Sequence, residues 1–149
     1  MADMVFTVLE TVGGGGLMLV AHTGKPPSQQ EWDRYCEALT RHDPERMTSL
    51  VFTDGGAPDG GQRKQVNDFL KGRTSACAVV ASSTVVRGVV TALGWFNPMI
   101  RAYSPTEVDE ALHYLGVRRD ELVLVRREIQ VLRKNLGYDH LRSIIAVAS

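Results

Sequence analysis

Residues 76–96 read ACAVVASSTVVRGVVTALGWF, and the fold is decided in this stretch. Ala76 to Ala81 is an uninterrupted apolar run of strand length, the kind that is buried on both faces in a parallel sheet. Ser82, Ser83 and Thr84 follow as a helix-capping turn. From Ser83 to Phe96 the apolar positions Val85, Val86, Val89, Val90 and Leu93 keep helical spacing despite their β-branching, while Gly88, Thr91 and Ala92 keep one side small. The spacing predicts a helix that approaches a sheet closely.

Working outward, the same alternation repeats on both sides. Downstream, Asn97 and Pro98 stop the helix, and Met99 to Tyr103 returns as a strand. Ser104, Pro105 and Glu107 then open another helix with cap, first-turn proline and acidic third position in register. Val108, Ala111, Leu112 and Leu115 form its apolar stripe, and Gly116 ends it. Upstream, Met47 to Phe52 reads as a strand, and TDGGAPDGG as a long turn into a weaker helix containing Val66, Phe69 and Leu70. Before that, Ser28 and Glu31 make a capping box for a helix whose Trp32, Tyr35, Cys36 and Leu39 repeat at helical spacing. At the start, Val5 to Leu9 and Leu17 to His22 are joined by TVGGGG, the composition of a hairpin connection. Because parallel strands need helical crossovers, the order implies an α/β fold: a mostly parallel or mixed sheet of about five strands flanked by helices.

The segment beyond Gly116 differs. Leu122, Val125, Ile129, Leu132 and Leu136 stand three and four residues apart over just more than two heptads, short of an autonomous coiled coil. Two readings stay open: a helix packed on its own domain, or a seam for self-association or a partner. The chain divides accordingly into a domain over residues 1–116 and a C-terminal helical extension over residues 117–149, packed on that domain or on a partner. The closing HLRSIIAVAS is apolar enough to pack, as helix or as strand.

Composition narrows the function classes. At 149 residues, 44% hydrophobic and 23% charged, the chain has the proportions of one globular domain. Seventeen basic residues against seventeen acidic ones leave no net field to draw it onto nucleic acid or anionic lipid. The neutrality is a cancellation: Val117 to Arg142 carries +3 and residues 1–116 carry −3. No secretory leader and no apolar run of about 18 residues is present, so the sequence reads as cytoplasmic without a transmembrane segment. Cys36 and Cys77 sit in apolar patterns that fit reduced, buried thiols.

Three stretches carry a family resemblance: LVFTDGGAPDG from Leu50, CAVVASSTVVRGVVTALGW from Cys77, and MIRAYSPTEVDEALHYLG from Met99. Over Met4 to Gly116 the order of elements resembles the STAS domain family, the fold of bacterial anti-anti-sigma factors, whose broader relatives share a fold with CRAL-TRIO lipid-binding proteins. The resemblance implies a small stand-alone bacterial regulatory protein that works through protein contacts. The lipid-binding relatives imply the alternative, a carrier or sensor of an apolar small molecule. In the anti-anti-sigma branch a D-S-S-G-like turn supplies a serine that a kinase phosphorylates. The matching turn here is Thr53, Asp54, Gly55 and Gly56, with glycine at the serine position.

The candidate sites follow. Thr53, Asp54, Gly55, Gly56, Asp59 and Arg63 are the expected partner-binding surface, and Ser82, Ser83, Thr84 and Arg87 are a candidate anion site at a helix start. The Leu122 to Leu136 stripe is the candidate self-association helix, so the partner is another protein or a second copy. No catalytic set is expected. His22, His42, His113 and His140 fall on separate elements without metal-ligand spacing, and D-G-G-A-P-D lacks the ligands of a calcium loop. No cofactor or metal is therefore expected. His22 is the one histidine near the strand edge where ligands bind, read either as a weak candidate base or as a solvent-facing strand end. Cys77 reads as too buried for a nucleophile. A small hydrolase or transferase would require a cleft joining His22 to Asp54.

Overall fold

The computed structural model describes residues 2–73, 75–94 and 97–137. Five strands form one sheet in the order β1-β2-β3-β4-β5: β1 Met4–Leu9, β2 Leu17–His22, β3 Thr48–Thr53, β4 Cys77–Val80 and β5 Ile100–Tyr103. β1 runs antiparallel to β2, and the remaining neighbours are parallel. The helices are α1 Gln29–Thr40, α2 Gly60–Leu70, α3 Thr84–Gly94, α4 Val108–Tyr114 and α5 Leu122–Leu136. The sheet is mixed and of five strands, as expected.

The local chemistry explains the joins. In the hairpin connection Gly13, Gly14 and Gly16 take positive φ (71°, 84° and 110°), the left-handed region that only glycine enters without steric cost. Ser28 caps α1 with both bonds of the capping box: its side chain accepts from the Glu31 N–H at 3.1 Å, and its own N–H donates to the Glu31 carboxylate at 2.8 Å.

The strand pleat sends alternate residues into two cores. One face of β2 presents Met18 and Val20 to Trp32, Cys36 and Leu39 of α1. The other presents Leu17, Leu19 and Ala21, with Leu50, Phe52, Ala78 and Val80, to Val108, Ala111 and Leu112 of α4 and to α5. In that second core Val125, Ile129, Leu132 and Leu136 are at most 2% exposed. The stripe expected as a self-association seam is therefore filled by its own sheet, where α5 lies across β1 and β2; Leu122 packs at its margin. Its a/d spacing suits a sheet face as well as a second helix, and residues on both sides of Gly116 share one core. The segment beginning at Tyr138 lies outside the described residues.

One strand departs from expectation. Ala78 and Val80 of β4 are buried, but Cys77 and Val79 on the opposite face are half-buried. A cavity of about 230 Å³ there is lined by residues of α1, α2 and β4, including Cys77.

Candidate functional site

β2, β3 and β4 end at one sheet edge, at His22, Thr53 and Val80. In parallel sheets this edge is where ligands and partners are met. The turn leaving β3 is fixed from inside. The buried Thr53 hydroxyl donates to the Gly56 carbonyl at 2.7 Å and accepts from the Gly55 N–H at 3.0 Å. Gly56 donates its N–H to the Thr23 carbonyl at 2.9 Å. A Cβ on Gly56 would lie 2.2 Å from the Lys25 carbonyl oxygen and 2.4 Å from that of Thr23. No side chain fits between these two segments, which is the physical reason for glycine where the resembled branch has serine.

Asp59 caps α2: its carboxylate accepts from the Gln62 N–H at 2.8 Å, and the Gln62 side chain accepts from the Asp59 N–H at 3.0 Å. Gln62 is 2% exposed and also donates to the Pro27 carbonyl at 3.0 Å, while its own carbonyl accepts from the Trp32 indole at 2.9 Å. The expected partner-binding set thus splits. Thr53 and Gly56 build the turn from within. Gly55, Asp59 and Arg63 face outward, with Asp54 half-buried between them.

Ser82, Ser83 and Thr84 are exposed at the start of α3, where the Ser83 hydroxyl accepts from the Val86 N–H at 3.3 Å. The Arg87 guanidinium turns back to donate to the carbonyls of Ala81 at 2.7 Å and Ser82 at 3.0 Å. These four residues do come together, as a closed capping arrangement whose cation is aimed at carbonyls.

His22 is 5% exposed, which corrects the reading of a solvent-facing strand end. β1 pairs along it, and its Nδ1 makes no hydrogen bond. Burial pushes its pKa down to about 4 against the opposing pull of the Glu31 carboxylate, so the imidazole is neutral at pH 7. A base that weak removes few protons at that pH. Glu31 itself is held below the usual carboxylate range: burial works against this, but N–H groups of Ser28, Met4 and Asp3 and the Ser28 hydroxyl outweigh it. Burial pushes the Cys77 thiol up to about 12, and burial together with the Asp33 charge raises Cys36. Neither is a thiolate at neutral pH. Among the described residues no group of three His, Cys, Asp or Glu side chains could hold a metal ion.

The feature that sequence reasoning placed on the wrong side is the apolar face of α3. Val85, Val89 and Leu93 are 75%, 58% and 52% exposed. The helix instead turns Val86 and Val90 inward, and Gly94 comes so close to β5 that an added Cβ would meet the Ile100 carbonyl oxygen at 3.1 Å. An eleven-residue helix that is apolar nearly all round has no clear phase, so spacing alone could not tell its inner side from its outer one. The outer face adjoins the β3 turn, since a Cβ on Gly55 would touch the Val86 side chain at 4.0 Å.

The cavity of about 230 Å³ lies at the opposite end of the sheet, with Trp32, Tyr35, Met47, Val66, Leu70 and Cys77 among its walls. Trp32 and Tyr35 stack there, ring centroids 4.9 Å apart.

No family model and no curated protein matches the chain. A solved structure does: an uncharacterized protein from the DUF3478 family, with a SpoIIAA-like fold, from Shewanella loihica PV-4. It is 10% identical, with a TM-score of 0.60 over 77% of this chain and 95% of that one. At that identity the likeness shows the fold alone. The chain has a SpoIIAA-like α/β fold, in agreement with the STAS resemblance of the sequence. No described helix is long and apolar enough to cross a membrane.

Proposed function

We propose that this chain is a non-enzymatic regulatory protein that acts by docking to protein, through the outer face of α3 and the neighbouring turn after β3. The observation that carries this reading is the exposure of Val85, Val89 and Leu93 in one stripe beside the outward-facing Gly55, Asp59 and Arg63. Contiguous apolar surface rimmed by polar residues is characteristic of interaction sites. The weak base at His22 and the raised thiols argue in the same direction, because neither supplies an activated group for catalysis. Regulation by phosphate on the turn does not enter, as Gly56 has no hydroxyl and no room for one.

The test is co-purification of the tagged chain from native lysate, wild type beside Val89→Glu and Arg63→Glu. A partner lost in the variants supports docking at this surface. Wild type that repeatedly returns alone, at monomeric mass, overturns it.

A second reading rests on the cavity of about 230 Å³: a carrier of an apolar small molecule between α1, α2 and the sheet. That volume falls below the roughly 300–1,000 Å³ of ordinary small-molecule sites, which ranks it second. Native mass spectrometry showing an organic-extractable adduct would support it, and repeated preparations without one would end it.

A further inference from the structure

We infer that the partner of the α3 face is a second copy of this chain, paired through two antiparallel α3 helices about a two-fold axis near Gly88. The inference rests on the docking role just proposed for α3 and specifies its occupant. Three observations carry it.

The first is charge. Arg87 is the one charged residue of α3, and its guanidinium is turned onto the Ala81 and Ser82 carbonyls. The outer face therefore offers a partner no ion to match, and an uncharged face is complementary to itself. The whole chain has a formal net charge of zero, so two copies approach without repulsion. A membrane surface would be favoured by basic residues around the stripe, and α3 supplies none on its outer face.

The second is shape. Gly88 lies mid-helix between Val85 and Val89, and nothing of the chain comes within 4 Å of a Cβ built on it. No contact within the protomer requires glycine at this poor helix position. An antiparallel copy uses the notch: the backbones approach closely there, and Val89 meets the partner's Val89 across the axis. An isologous contact of this kind closes as a dimer and does not propagate.

The third is area. The exposed parts of Val85, Val89, Leu93 and Met99 amount to roughly 400 Å² of apolar surface per chain, which with the flanking Thr84 and Thr91 brings two copies near the low end of specific interfaces, about 1,200 Å² in total. An interface of that size forms a reversible, concentration-dependent dimer.

Sedimentation equilibrium across a range of about 1 to 200 µM, where weak transient interfaces are populated, reads this directly. Wild type is expected to shift from monomeric to dimeric mass, and Val89→Glu and Val89→Lys each to weaken the association by about tenfold or more. Mixing the two variants is expected to restore the dimer, because the two-fold places position 89 opposite itself. Unchanged far-ultraviolet circular dichroism and melting temperature keep the variants interpretable. A wild type that stays monomeric throughout, variants that dimerise as well as wild type, or a mixture that fails to recover overturns the inference. If the purified chain is monomeric while another protein co-purifies through Val89, self-pairing fails and docking stands; if it is monomeric and solitary, both fail. Val89-dependent sedimentation with phosphatidylcholine vesicles would assign the face to a lipid surface and overturn the dimer.

Discussion

His22 should make the protein acid-labile in a defined window. Its folded pKa is lowered to about 4, whereas an unfolded histidine titrates near 6.5. The unfolded chain therefore binds this proton first as pH falls. Stability from keeping the imidazole neutral is complete above about pH 6.5 and is lost progressively down to about pH 4. At pH 4.5 the unfolded state is almost fully protonated at this site and the folded state only partly. The difference is roughly 2.5 kcal/mol, a large share of the 5–15 kcal/mol typical of a domain. His22→Leu removes the titration and leaves no orphaned Nδ1, so it is expected to remain within about 1 kcal/mol of wild type at pH 7. Urea unfolding of both proteins at pH 7.0 and 4.5 gives the double difference. If both lose the same stability over that interval, or if the His22 ring protons titrate near pH 6.5 by NMR, the burial argument is refuted.

Three further outcomes are expected. Gly56→Ala should destabilise by about 2 kcal/mol or more, because the new Cβ meets two backbone carbonyls that cannot rotate away; a melting curve indistinguishable from wild type would contradict the close approach to Thr23 and Lys25. Ile129→Ala should lower stability by about 2–5 kcal/mol in chemical denaturation while the half-exposed Val131→Ala stays within about 0.5, and equal effects would place α5 off the sheet. In a Cys36→Ala background at pH 8, Cys77 should react with a disulfide reagent roughly a thousandfold more slowly when folded than in urea, as its thiol is pushed up to about 12; fast native labelling would show an accessible thiolate.

The elements were legible because the local signals agreed: the Ser28–Glu31 box, the glycines between β1 and β2, and the proline and capping serine before α4 each act within a few residues. What was not legible depends on partners distant in sequence. The a/d spacing of Leu122 to Leu136 describes one apolar stripe without saying whether a helix or a sheet covers it, and only the tertiary arrangement lays it over β1 and β2. The valines of α3 gave the opposite difficulty, since too many apolar positions left no phase and the outer set was read as the inner one. His22 looked exposed because a strand end borders a loop, whereas the pairing of β1 encloses it. In the candidate site the sequence located the right turn but not the division of labour within it, which depends on Gly56 lying under Thr23 and Lys25.

The position of α5 also dictates when the molecule can become stable. The Gly13 N–H donates to the Glu121 carboxylate at 3.2 Å across 108 residues of chain, and the β1–β2 hairpin lies beneath a helix made more than a hundred residues later. On the ribosome the first hairpin must therefore wait with one apolar face uncovered until Leu136 has emerged. Closure of so long a loop places this protein among the slower folders of its size, and aggregation during synthesis is the hazard its first two strands have to survive.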